Sequence, residues 1–133
     1  HQAPQQIFSG AGTVLLVDDE NMMLTVGRKM LEKLGYGVLT ANTGQRAVDL
    51  FSLHRGQIKL VILDMIMPGL SGSDTFDRLK EIDASVKVLL SSGYSIDGQA
   101  RQILDRGCNG FIQKPFDLQA FSEKIRHVLD GAS

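Results

Sequence analysis

Three acidic residues in a row, Asp18, Asp19 and Glu20, close one apolar run (VLLV), and a further acid, Asp64, closes another (LVIL). Two hydroxyls, Ser91 and Ser92, follow VLL, and the Lys114 ammonium follows GFIQ and precedes Pro115. Two like charges about 4 Å apart repel by about 4 kcal/mol at an effective dielectric of about 20. Asp18, Asp19 and Asp64 can therefore converge only around a cation or by retaining a proton. A hard divalent cation answers this, since Mg²⁺ takes one or two carboxylates, keeps several waters and then engages a phosphate. The other groups suit that phosphate: Lys114 as a point charge, Ser92 as a donor, and backbone N–H groups near Gly93 and after Asp64. A metal-bound carboxylate can attack phosphorus and form an acyl phosphate, with Mg²⁺ and Lys114 balancing charge in an in-line transfer.

Bringing these residues together requires a particular scaffold. Short β-rich apolar runs fall at Thr13–Val17, Tyr36–Thr40, Lys59–Leu63, Val86–Leu90 and Gly110–Ile112. Several are continuously apolar, as in parallel strands covered on both faces. Between them run helical periods. The first places Met23, Val26, Met30, Leu31 and Leu34 on one stripe. Ala47, Leu50 and Phe51 mark the second helix, Phe76, Leu79 and Ile82 the third, Ala100, Ile103 and Leu104 the fourth. The last carries Leu118, Phe121, Ile125, Val128 and Leu129. Thr43, Ser73 and Asp117 stand at N-cap positions, and Gly35, Gly56, Gly107 and Gly131 where C′ residues belong. Five repeats of strand then helix predict a doubly wound α/β fold: a five-stranded parallel sheet, right-handed crossovers and five flanking helices. In such a sheet ligands bind outside the carboxyl ends of the strands, where the acids, Ser92 and Lys114 all fall.

The 133 residues are one domain's worth, 43% hydrophobic and 22% charged, an ordinary globular composition. The single Cys108 cannot form an internal disulfide and fits a reducing compartment. A net charge of −1 gives no reason to expect nucleic acid as a direct partner. No apolar run approaches membrane-spanning length, and the N-terminus has no secretory pattern. Residues 1–11 are polar, with Pro and Gly, and read as a linker or disordered leader; residues 12–131 form the domain. A start at His1 rather than Met marks the chain as a fragment or a trimmed piece.

At VLLVDDE, LVILDMIMPG, VLLSSG and GFIQKPF the sequence resembles the response-regulator receiver family of two-component signalling, over about residues 12–130. Any one motif is weak; the set, in family order at matching strand ends, is highly specific. The resemblance implies a flavodoxin-like strand order 2-1-3-4-5. It makes Asp64 the phospho-acceptor, Asp19 a direct Mg²⁺ ligand and Asp18 a ligand mainly through water, with the Ile66 backbone carbonyl completing the protein's share and Mn²⁺ as a substitute. Ser92 takes the switch hydroxyl position; Ser91 competes for it, but the small Gly93 after Ser92 fits the family pattern better. Lys114 contacts the phosphoryl group, and the Lys114–Pro115 bond is expected to be cis. Phe111 takes the aromatic switch position, without the hydroxyl that many relatives carry. Ile66 and Tyr94, two residues beyond Asp64 and Ser92, are expected to hinder the hydrolytic water and lengthen the phosphorylated state.

The implied function is a regulatory phospho-acceptor rather than an enzyme, assisting its own phosphorylation and dephosphorylation. Its phosphoryl donor is a histidine kinase or histidine phosphotransfer domain, since the chain has no ATP-binding loop. Phosphorylation is expected to pull Ser92 inward and let Phe111 repack. That reshapes the face made by the fourth helix, fifth strand and fifth helix, through which a homodimer is a further expectation. The leader, DMIMPG and LLSSGYS resemble the C-terminal receiver of a hybrid sensor histidine kinase, so the expected location is cytoplasmic, tethered in that case to a membrane-bound sensor.

Plainer readings compete at each position. Asp18–Asp19 suits a helix start, Asp64 a turn, the serines a strand end, and Lys114–Pro115 a loop. A Mg²⁺ phosphohydrolase with an aspartyl intermediate would place a second acid where Ile66 stands. A flavin or nucleotide site would need a Gly-rich loop where DDE stands. A phosphorylation-independent interaction module would not need the intact acidic set. Met22, Met23 and Met30 read as core and helix surface, with Met22 and Leu24 off the main stripe as an apolar patch for a partner helix. His54 and His127 read as solvated, and Cys108 as a small buried residue.

Overall fold

The structure is a computed structural model that describes residues 10–93, 96 and 98–131. Strands and helices alternate: β1 (Thr13–Val17), α1 (Asn21–Lys33), β2 (Gly37–Ala41), α2 (Gly44–His54), β3 (Ile58–Asp64), α3 (Gly72–Ile82), β4 (Val88–Ser92), α4 (Gly98–Asp105), β5 (Gly110–Gln113) and α5 (Leu118–Leu129). The strands form one sheet in the order β2-β1-β3-β4-β5, every pairing parallel. The expected architecture and strand order are those observed.

Side chains alternate across a strand, so each apolar run serves two cores at once. Leu15, Val17, Val61, Leu63, Val88 and Leu90 pack with Phe51, Phe76, Leu79, Ala100 and Ile103 of α2, α3 and α4. Val14, Leu16, Leu60, Ile62 and Leu89 pack on the other face with Leu31, Leu34, Phe121, Ile125 and Val128 of α1 and α5. The chain runs outward from β1 to β2 and then back across to β3. The strand order thus reverses between β1 and β3, and the ends of those two strands carry the aspartates.

Three local expectations need correction. The buried line of α1 runs through Gly27, Leu31 and Leu34, with Leu24 packed against the same core, whereas Val26 is 42% exposed. A Cβ at Gly27 would come within 2.8 Å of Leu16 Cδ2, so the helix rests on the sheet through a residue with no side chain. Glycine adds nothing to an apolar stripe, which is why the period pointed one residue off. The N-cap of α3 is Ser71, whose hydroxyl accepts the Asp74 N–H at 3.1 Å, in place of Ser73. Strand β4 begins later than expected and continues through both serines, because backbone pairing outlasts the apolar run.

Thr43 and Asp117 cap α2 and α5 as expected. Gly35, Gly107 and Gly131 follow their helices with left-handed φ of 101°, 106° and 67°. Gly10 is tied down ahead of β1: its N–H donates to the Leu34 carbonyl at 2.7 Å, and its missing Cβ leaves room for the Tyr36 ring. Among the described residues, no helix is long and apolar enough to cross a membrane.

Candidate functional site

Parallel pairing continues one step past β1: the Asp18 N–H donates to the Ala41 carbonyl at 3.1 Å. Held there, Asp18 is 3% exposed, and its Oδ1 accepts the Glu20 N–H at 2.9 Å, turning the chain into α1. Asp64 is the last residue of β3, paired with Ser91 of β4. Lys114 follows β5, its N–H donating to the Ser92 carbonyl at 2.7 Å, and the Lys114–Pro115 peptide bond is cis.

These backbone positions bring the charges together. The Lys114 ammonium donates to Asp18 Oδ2 at 2.6 Å and to Asp64 Oδ1 at 3.0 Å. Asp18, Asp19 and Asp64 each offer a carboxylate oxygen, and the three atoms lie within 4.8 Å of one another. Burial pushes the Asp64 carboxyl up to about 6, with the Asp18 charge adding to the rise and Lys114 opposing it. Burial works against the Lys114 ammonium, but its bonds to Asp18 and Asp64 prevail and hold its pKa above the ordinary lysine range. One ammonium between two buried carboxylates, with a third at the rim, leaves an excess of negative charge. An all-oxygen donor set of this size suits a hard divalent cation such as Mg²⁺.

The site opens as a cleft of about 480 Å³ lined by Asp19, Glu20, Asp64, Ile66, Ser92, Gly93 and Lys114. Asp64 is only 5% exposed, yet it lines this cleft, so its small exposed area faces the opening. Ser92 lines it too, whereas Ser91 does not; adjacent strand residues point to opposite faces. The site thus gathers Asp18, Asp19, Asp64, Ile66, Ser92 and Lys114. Phe111 stands apart, half-buried on β5 beside Leu90 and packed against the α2–α4 core. Tyr94 lies outside the described residues.

Two features escaped the sequence reading. At the start of α3, a Cβ on Gly72 would lie 2.6 Å from the Met65 carbonyl oxygen and 2.8 Å from that of Asp64. The helix therefore abuts the peptide of Asp64, and only the absence of a side chain permits it. A glycine two positions into SGSD offers no chemical signal of this. The second feature is an apolar groove of about 450 Å³ beside the acidic cleft, where Met23, Val26 and Met30 of α1 face Pro115 and Phe116. Met22, on the same helix, is 76% exposed. The apolar patch expected of Met22 and Leu24 was the available signal, but Leu24 is half-buried against the core instead.

Comparisons with known proteins agree with this fold. The family model "Response regulator receiver domain" matches residues 14–126. The chain is 31% identical to Sensor kinase CckA of Brucella abortus over 92% of its own length and 13% of that protein's, so it spans about an eighth of that relative. Among solved structures, a response regulator receiver domain protein from Clostridium thermocellum superposes with a TM-score of 0.85 at 29% identity, covering 90% of this chain and 94% of that one. The CheX-CheY-BeF3-Mg²⁺ complex from Borrelia burgdorferi gives a TM-score of 0.84 at 26% identity, with 88% of each chain covered.

Proposed function

Because this chain belongs to the response regulator receiver domain family, we propose that it is the phospho-acceptor of a phosphorelay, taking a phosphoryl group from phosphohistidine onto Asp64. The observation that carries this reading is the pairing of Lys114 with both Asp18 and Asp64 inside a set of three convergent carboxylates. Asp64 supplies the attacking oxygen from the floor of the cleft. Lys114, already bonded to it, follows the charge as the carboxylate becomes an acyl phosphate. Ser92 turns its hydroxyl to the phosphoryl oxygen, and the backbone N–H groups after Asp64 receive the others. Asp19, Asp64 and the Ile66 carbonyl would hold Mg²⁺, Asp18 mainly through water, with Mn²⁺ as a substitute; the ion would offset the negative charge that carboxylate and phosphate bring together. The related Borrelia complex combines Mg²⁺ with BeF3.

The donor is a histidine kinase or histidine phosphotransfer domain whose helix seats its apolar face in the Met23–Val26–Phe116 groove, next to the cleft. Once phosphorylated, Ser92 moves inward, Phe111 repacks, and the face of α4, β5 and α5 changes its fit for an output partner or a second copy. Ile66 and Tyr94 restrain the water that ends the signal. The domain takes in residues 12–131, with 1–11 as its leader. Its place in the cell is the cytoplasm, as the receiver of a hybrid sensor kinase.

Incubation with Mg²⁺ and acetyl phosphate, followed by intact-mass measurement, tests the assignment. One added phosphoryl group, absent in Asp64→Asn, is the expected result. No adduct and no metal binding would leave an interaction module as the better description.

A further inference from the structure

Glu20 occupies the N-cap of α1, a position that favours Ser, Thr, Asp or Asn because their short side chains reach the first free N–H groups. The Glu20 side chain makes no such cap bond. A negative charge at a helix start is favourable, but an aspartate would supply that charge and the cap together. The Glu20 carboxylate is exposed, and among the described residues it has no hydrogen-bond or ion-pair partner.

Its place explains what the longer side chain reaches. Among the described residues, only Glu20, Gly93 and Lys114 line both the acidic cleft and the apolar groove. Gly93 has no side chain, and the Lys114 ammonium is bound to Asp18 and Asp64. Accepting the reading that a phosphohistidine on a docked helix is the donor, its phosphoryl group enters the cleft while its backbone lies over the groove. The imidazole must then cross the edge that the two share. Among the described residues, Glu20 is the one uncommitted side chain at that edge.

We propose that Glu20 determines donor specificity: its carboxylate meets the incoming ring and favours it as the imidazolium, promoting transfer from a phosphorylated imidazole over transfer from an acyl phosphate. In the step, an Asp64 carboxylate oxygen forms a bond to phosphorus and the N–P bond breaks, its electron pair passing to the ring nitrogen. The other ring nitrogen keeps its proton, so neutral imidazole leaves. Glu20 stays a carboxylate throughout. Without that neighbouring charge the ring loses its protonated form more readily, and the leaving group becomes imidazolate, a far poorer one. Acetyl phosphate leaves as acetate, needs no such help, and gains nothing from an added anion at the mouth.

The experiment compares two small donors, monophosphoimidazole and acetyl phosphate, on the same chain with saturating Mg²⁺, following phosphorylation of Asp64 by intact mass. In Glu20→Gln, the ratio of the monophosphoimidazole rate constant to the acetyl phosphate rate constant should fall about fivefold or more. Mg²⁺ affinity, read by thermal shift, shows whether the variant keeps the fold and the metal site. An unchanged ratio, or equal slowing with both donors, would overturn the specificity role while leaving Asp64 as acceptor intact. Failure of both donors on the unaltered chain would instead remove the phospho-acceptor reading, and this inference with it.

Discussion

The Lys114 ammonium sits 2.6 Å from the Asp18 carboxylate. That is shorter than its 3.0 Å contact with Asp64, the residue that would carry the phosphoryl group. Among the described residues, Lys114 is the one cation on the floor of the site, and it is shared, leaning toward the residue proposed to help hold the metal.

Removing that cation should be costly in the metal-free protein. Asp18 and Asp64 are 3% and 5% exposed, and Lys114→Ala leaves them facing each other without a counter-charge. Breaking one side of a buried pair typically costs about 3–5 kcal/mol. The open cleft softens this, so urea unfolding at pH 7 should show a loss of about 2–3 kcal/mol. Added Mg²⁺ should restore more stability to Lys114→Ala than to the unaltered chain. A variant as stable as its parent without metal would contradict the shared-cation geometry.

Acid should stabilise the metal-free fold. Burial pushes the Asp64 carboxyl up to about 6 from an ordinary 3.8. Between these values the folded state binds more protons than the unfolded one, so stability falls as pH rises through that window. The penalty at pH 7 is about 2 kcal/mol after allowance for solvent in the cleft. Lys114, whose pKa is also raised, stabilises the fold while it is protonated, and that contribution is lost as pH rises through the alkaline range, outside this window. Thermal melts in EDTA should therefore give a higher Tm at pH 5 than at pH 7, and Asp64→Asn should flatten the difference. With Mg²⁺ present the stabilisation by metal should shrink below about pH 6, as Asp64 takes a proton.

Gly72 can be separated from ordinary packing by comparison with Gly44. A Cβ at either position meets a carbonyl oxygen at 2.8 Å or less, that of Leu70 for Gly44 and those of Asp64 and Met65 for Gly72. Both Gly→Ala changes should lower stability by about 1–3 kcal/mol through overpacking. Only Gly72→Ala should also weaken Mg²⁺ binding and slow phosphorylation by acetyl phosphate, since only it displaces the Asp64 peptide. Equal effects of the two variants on the metal site would make Gly72 a packing residue and nothing more.

Ile66 is 55% exposed and lines the cleft with Asp64, and the proposed function has it restrain the water that attacks a phosphorylated Asp64. Ile66→Asn should speed dephosphorylation by several-fold, about 1 kcal/mol in the barrier. Tyr94→Glu is expected to act in the same direction. Loss of the adduct, timed by intact mass after the donor is removed, provides the measurement.

The sheet was legible because runs such as LVIL must feed two cores, and only a doubly covered parallel strand tolerates that. The acid, hydroxyl and ammonium positions were legible because each directly follows such a run. What the sequence concealed was carried by glycine and by backbone. Gly27 sets the buried line of α1 and Gly72 the approach of α3 to Asp64, and neither adds hydrophobicity or charge. Ser91 and Ser92 fall just past the apolar run of the fourth strand, yet strand pairing with Ile112 and Gln113 carries the sheet through them. The exposure of Val26 and the half-burial of Leu24 follow from the same glycine contact, and with them the apolar groove beside the cleft.

Gly10 is fastened to Leu34 and Tyr36 at the foot of the sheet, where the strands begin, whereas the acidic cleft opens where they end. A strand of five residues separates the two by about 16 Å. The described chain therefore enters the domain at the pole opposite the mouth, and a donor that reaches the cleft does not cross that point of entry.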